Sequence, residues 1–131
     1  GGGAPEAVLA SFLKDWSERF EGRQQLAINK FAEALEVIPL TIAENAGMDP
    51  IDTMVKLRAR QSEGKKWTGI DAKEGRVADM LSKNIVEPVV VKEQIIKSAT
   101  EAASMILRID DVIAISGGSG GGMPPGMPPM G

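Results

Sequence analysis

The sequence predicts a mainly α-helical domain that carries one small β-hairpin and a C-terminal strand. Three observations lead there. Apolar residues recur at intervals of three and four over several long stretches, the period of an amphipathic helix. The chain is 43% hydrophobic but only 4% aromatic, so its apolar side chains are mainly Ala, Ile, Leu, Val and Met, a set that suits helix packing. One short region, residues 66–78, departs from this pattern with β-leaning residues around a glycine turn.

In chain order, Pro5 to Glu21 reads as the first helix. Val8, Leu9, Phe12, Leu13, Trp16 and Phe20 form its apolar stripe, so Trp16 and Phe20 are expected in the core. Pro5 suits the first helical turn, where its missing N–H is no loss, and Gly22 suits the stop. A second helix starts at Arg23 with Leu26, Ala27, Phe31, Ala34, Leu35 and Ile38 on one side. Pro39 predicts a break or kink there, followed by a short helix from Pro39 to Asn45 that ends at Gly47. Asp49-Pro50-Ile51-Asp52 is a cap, a proline and a first-turn acid, and predicts a third helix to about Gln61.

Lys66–Ile70 and Arg76–Ala78, separated by Ala72-Lys73-Glu74-Gly75, predict the hairpin, with Gly75 supplying a positive φ. Trp67 is expected to pack on this sheet. Asp79 to Lys83 predicts one helical turn, and Pro88 to Leu107 the longest helix. Asp110-Asp111 has the look of a metal pair, but adjacent carboxylates point apart in extended chain. They are better read as ending that helix and opening a strand at Val112–Ile115. Residues 117–131 are Gly, Ser, Pro and Met only, and predict a mobile tail behind a domain covering residues 1–116.

Composition excludes several classes. With no cysteine and no histidine, disulfides, zinc fingers, thiol nucleophiles and histidine bases are ruled out, and no metal site is expected. The net charge of −3 is spread over mixed signs, with no basic stripe to neutralise a row of phosphates, so no nucleic-acid partner is expected. No apolar run approaches the roughly 20 residues that span a bilayer, and the start is not a signal peptide; a cytoplasmic protein without membrane contact is expected. Abundant Glu, Lys and Arg also fit a thermophilic protein.

Gly1-Gly2-Gly3-Ala4-Pro5-Glu6 feeds directly into the first helix. Glycines there let bare backbone N–H groups approach an anion, because no Cβ blocks them and the helix end carries unsatisfied donors. By themselves these residues favour a plainer reading, a linker or cleavage scar. No initiator methionine precedes Gly1, so a piece of a longer chain or a processed product is expected.

Four blocks then change the reading: GGGAPE at 1–6, FAEALEVIPLTIAENAGMDPID at 31–52, DMLSKNIVEPVVVK at 79–92 and ILRIDDVIA at 106–114. In this order and spacing they resemble the C-terminal part of the equatorial domain of group II chaperonins, the archaeal thermosome and its eukaryotic cytosolic relatives. The glycine- and methionine-rich end resembles that family's C-terminus. The resemblance covers residues 1–116 and implies a subunit of an ATP-dependent double-ring folding machine. It implies ATP or ADP with Mg2+ as cofactor, other chaperonin subunits as partners, and unfolded client proteins bound through domains absent here.

The same resemblance implies which residues face nucleotide. Gly2 and Gly3 match the glycines whose backbone lies against the sugar and phosphate side, where a Cβ would occupy ligand volume. Asp71 and Ala72 match the stretch beside the adenine ring, with a plain turn role as the alternative for Asp71. Glu87 matches an acid that accepts hydrogen bonds from the ribose hydroxyls; its plainer role is favourable charge at a helix N-terminus. The terminal strand is implied to join neighbouring subunits. The family's phosphate loop, Gly-Asp-Gly followed by threonines, and its water-positioning aspartate have no match in this chain. Phosphoryl transfer needs those groups held together, so no catalytic residue is assigned and the chain alone should not hydrolyse ATP. Two alternatives remain: a helical structural or self-association module without nucleotide binding, and a free nucleotide-binding module.

Overall fold

The computed structural model describes the backbone of residues 1–117 and the side chains of residues 1–109. It divides into two units, Gly1–Glu87 and Pro88–Gly131. The expected tail beyond Gly117 lies outside the described residues.

In the first unit, helix α1 spans Ala4–Ser17, with Pro5 in its first turn and Gly3, at φ 73°, as the residue before it. It stops earlier than expected because Ser17 turns its hydroxyl back on the helix. Ser17 Oγ donates to the Lys14 carbonyl at 2.6 Å and lies 2.9 Å from Asn29 Oδ1, a bond that competes with helix continuation. Helix α2 spans Gly22–Asn45 and contains Pro39. The break expected at Pro39 does not occur. A proline inside a helix loses one hydrogen bond and crowds the preceding turn, yet Pro39 is fully buried. Its ring packs against Gly3, where a Cβ would come within 2.7 Å of Pro39 Cβ. Tertiary packing offsets the local cost, and the glycine makes room for the ring.

The faces that α1 and α2 bury are not the ones that hydrophobicity singles out. Helix α1 turns Ala4, Ala7, Ala10 and Ser17 inward, and α2 turns Ala32, Leu35, Glu36, Pro39 and Ala43. Small side chains let two helix backbones approach closely, which Phe and Trp forbid. The stripe read as core is largely outside it: Phe12 is 60% exposed and Trp16 37%. Trp16 meets Phe20 edge-on at 4.7 Å between ring centroids, so the two aromatics cover each other rather than fill the core.

Helix α3, Pro50–Ser62, follows the sequence closely: Asp49 Oδ1 caps it by accepting from the Asp52 N–H at 2.8 Å. Glu36, nearly buried in α2, ties the three helices together. One carboxylate oxygen is 2.9 Å from Lys14 Nζ of α1 and the other 2.7 Å from an Arg58 guanidinium nitrogen of α3.

Strands β1 (Thr68–Asp71) and β2 (Arg76–Asp79) pair antiparallel in the register Thr68↔Asp79 to Asp71↔Arg76. The four-residue connection ends on Gly75 at φ 62°, as expected. Trp67 is 56% exposed, which corrects its expected packing on the sheet; only its backbone joins, accepting from the Met80 N–H at 2.9 Å. Ala7, Ala43, Met54, Leu57, Ile70 and Val77 form the main core, and Ala4, Ala78 and Met80 a second, smaller one.

In the second unit, helix α4 spans Val89–Gly117. The C-terminal strand expected at Val112–Ile115 is therefore helix, and Asp110-Asp111 does not end α4. The β-branched residues favour a strand, but a strand needs a partner for its ladder, whereas a helix satisfies each N–H and C=O from the same segment. No helix among the described residues is long and apolar enough to cross a membrane.

Candidate functional site

Three segments distant in sequence meet around Gly1–Gly3. The Gly2 carbonyl accepts from the Ile70 N–H at 2.8 Å, so the glycine run lies along the free edge of β1, one residue before Asp71. On its other side the run touches Ile85: a Cβ on Gly1 would fall 2.7 Å from the Ile85 carbonyl oxygen, two residues before Glu87. The approach to β1 is close enough that Gly69 has no room for a side chain either, since a Cβ there would be 3.0 Å from the Gly2 oxygen and 2.7 Å from Met80 Cγ.

The fold supplies its own reason for glycine. A Cβ on Gly2, at φ 63°, would collide with Met80 Sδ and meet the Ile70 oxygen at 2.7 Å. On Gly3 it would meet Pro39. Protein atoms by themselves forbid a side chain at both positions, and the positive φ adds to the penalty. The start of α1 is also less of an anion cradle than the sequence suggests. The Ala4 N–H donates to the Gly1 carbonyl at 3.2 Å, and the Ala7 N–H to that of Gly3 at 3.1 Å. Pro5 has no N–H, and the acid Glu6, 2% exposed, occupies the first turn, where the helix dipole favours it.

Asp71 is buried and holds the hairpin turn. Its Oδ1 accepts from the N–H groups of Lys73 and Glu74, both at 3.1 Å, and its Oδ2 lies 3.6 Å from Lys83 Nζ. The turn role weighed for it is thus present in the structure. Ala72 is exposed beside it, as is Glu87 in the irregular stretch after Ile85. Glu74 accepts from Lys83 and lies 2.6 Å from an Arg76 guanidinium nitrogen. Those two cations, Lys83 first, hold the Glu74 carboxyl below the usual glutamate range.

The exposed carboxylate at position 87 can accept hydrogen bonds from hydroxyl groups, and the turn at Asp71 exposes the small side chain of Ala72. Among the described residues no group of three or more His, Cys, Asp or Glu is placed to hold a metal ion. A cleft of about 600 Å³ lies elsewhere, lined by Met48, Asp52, Lys56, Arg60 and Arg76 among others, and includes none of the five sequence-assigned residues. Sequence reasoning missed Lys83, Glu36 and Gly69. Gly69 carried the one usable signal, a glycine inside a strand, which marks a close backbone approach.

A family model described as the TCP-1/cpn60 chaperonin family matches residues 1–116. A thermosome subunit of Methanopyrus kandleri is 58% identical over 114 residues, which cover 87% of this chain and 21% of that protein. Thermosome subunit alpha of Halobacterium salinarum is 59% identical over 121 residues, 92% of this chain and 22% of that one. The solved open-state monomer of a group II chaperonin from Methanococcoides burtonii superposes with a TM-score of 0.80 at 49% identity, covering 82% of this chain and 27% of that one. The chain thus spans about a fifth to a quarter of these proteins' length. A family match over nearly all the described residues, with relatives more than half identical, means that the chain belongs to the TCP-1/cpn60 chaperonin family, in its group II, thermosome-type branch.

Proposed function

We propose that this chain supplies the base-and-ribose wall of the ATP site in a group II chaperonin subunit, a cytoplasmic double-ring machine that folds client proteins. The observation that supports this reading is the convergence of Gly1–Gly3 with Ile70 and Ile85, one residue before Asp71 and two before Glu87. In this reading Glu87 accepts from the ribose hydroxyls, and the Asp71–Ala72 turn lies beside the base. Gly2 and Gly3 present backbone to the sugar side. Bound ATP with Mg2+ would supply the phosphoryl group whose loss drives the ring; the residues of this chain only hold and orient its nucleoside end. Other subunits are the partners, and clients bind through domains outside this segment.

Calorimetric titration tests the proposal. The chain alone should bind ADP with Mg2+ at most very weakly, because one wall cannot hold the phosphates. In a complete subunit carrying this segment, Glu87→Ala should weaken ADP binding about tenfold, the worth of hydrogen bonds to a charged acceptor, while saturated turnover changes little. Unchanged affinity would remove Glu87 from the site, and tight binding by the isolated chain would favour a free nucleotide-binding module.

A second reading has one observation in its favour. Leu9, Phe12, Trp16, Leu26 and Phe31 are all at least 37% exposed on α1 and α2, more apolar surface than a solitary domain ordinarily leaves uncovered. A self-association module would run as a discrete small oligomer in size-exclusion chromatography. The wall reading expects a monomer or ill-defined aggregates.

A further inference from the structure

Lys83 is the only lysine whose ammonium faces two carboxylates of another element among the described ion pairs. It sits in the turn after β2, four residues before Glu87, and reaches across to the hairpin connection. There it donates to Glu74 Oε1 and stands 3.6 Å from Asp71 Oδ2. The turn that presents it is pinned by its own bonds. Ser82 donates its N–H to Asp79 Oδ1 and its hydroxyl to the Asp79 carbonyl, both at 2.9 Å. Asn84 takes a left-handed φ of 57°, and the Ile85 N–H closes on the Met80 carbonyl at 2.9 Å. The backbone therefore aims Lys83 at the hairpin and, in the same short turn, sets the direction in which the chain leaves toward Glu87.

From this geometry we infer that Lys83 is the positioning residue of the nucleotide wall: it clamps the Asp71–Ala72 turn to the turn leading into Glu87. The inference rests on the nucleotide reading above and adds what holds its two halves in register. Asp71 is the reason the clamp matters. Its side chain is 5% exposed, and one oxygen is already spent on two backbone N–H groups. Removing the lysine leaves the other oxygen a buried charge without its neighbouring cation, an arrangement that relaxes by opening the turn. Neither apolar core includes Lys83, so the loss is local to the wall. Arg at this position can serve two carboxylates through its fork, whereas Met keeps the stem and loses the charge.

Two measurements test the clamp. In the full 131-residue chain, Lys83→Met should speed amide hydrogen exchange at Lys73 and Glu74 about two- to fivefold, the scale of one partly exposed ion pair. Exchange at Ile70, bonded to Gly2, should hold, and Lys83→Arg should restore the original rates. In a complete subunit carrying this segment, Lys83→Met should raise the ADP dissociation constant about two- to fivefold with saturated turnover unchanged, and Lys83→Arg should recover it. Unchanged exchange, or exchange that rises equally at Ile70, overturns the clamp. A loosened turn with unchanged ADP affinity overturns the positioning role and leaves the nucleotide reading standing. Absence of ADP binding by the unsubstituted subunit overturns the nucleotide reading and the positioning role together, while the exchange result still reports whether the clamp exists.

Discussion

Substituting Gly3 by alanine separates two explanations of the glycine run. If glycine is required because a ligand occupies the space, Gly3→Ala should lower nucleotide affinity and leave the free protein as stable as before. The structure places a cost in the free protein itself. Gly3 has φ 73°, and a Cβ would lie 2.7 Å from Pro39 Cβ and 2.9 Å from Pro39 Cα. The left-handed backbone costs a residue with a Cβ about 1–2 kcal/mol. Overpacking against a buried ring that sits in a helix and cannot swing away adds about 1–3 kcal/mol. The sum, about 2–5 kcal/mol, is a large share of the roughly 5–15 kcal/mol that holds an ordinary domain together. Urea unfolding followed by circular dichroism, without nucleotide, reads it directly. Gly47→Ala is the matched control, since Gly47 has φ 71° and nothing within 4 Å of its would-be Cβ; it should show the backbone cost alone. Equal losses for the two variants would refute the close approach of Pro39 to the glycine run.

Other outcomes follow from the same structure. Glu36→Ala removes a buried carboxylate bridging Lys14 and Arg58, and should cost about 1–3 kcal/mol in urea unfolding; Lys14→Ala, which deletes a half-exposed partner, should cost less than about 1 kcal/mol. The Glu74 carboxyl is depressed by its bond from Lys83 and then by Arg76, so the unfolded chain holds its proton more tightly than the folded one. Its stabilisation is therefore full above about pH 4.3, the ordinary glutamate value, and fades as pH falls through the depressed folded value. The difference in thermal midpoint between the unsubstituted chain and Glu74→Gln should be constant near neutrality and shrink in acid. Trp67→Ala should change stability by no more than about 0.5 kcal/mol, as for other exposed sites, since the ring is 56% exposed; a loss of several kcal/mol would show that it packs after all.

Much of the architecture was legible because its signals are local. Asp49, Pro50 and Asp52 mark the start of α3, and the hairpin turn lies where Gly75 permits a positive φ. Four sequence blocks were enough to point to the family. The candidate site was legible only as separate pieces: Gly2, Gly3, Asp71, Ala72 and Glu87 could be named, but not the contacts of the glycine run with Ile70 and Ile85. Lys83 carries no signal at all in the sequence, because its meaning depends on carboxylates nine and twelve residues away across a hairpin.

The sequence by itself determined where helices and turns begin, because caps, prolines and glycine conformations act within a few residues. It also determined which side-chain chemistry this segment lacks, since no arrangement of its residues supplies a thiol or an imidazole. Only the tertiary structure decided which faces are buried. Hydrophobic periodicity ranks Phe12 and Trp16 above Ala7 and Ala10, whereas two helices in close contact require the alanines. It likewise decided that Pro39 stays helical, because Gly3 leaves space for its ring. That Val112–Ile115 is helix was decided in the same way: a strand is stable only with a partner, and a helix bonds to itself. The glycine run thus owes its composition to Pro39, Met80 and Ile70, neighbours that sequence distance hides.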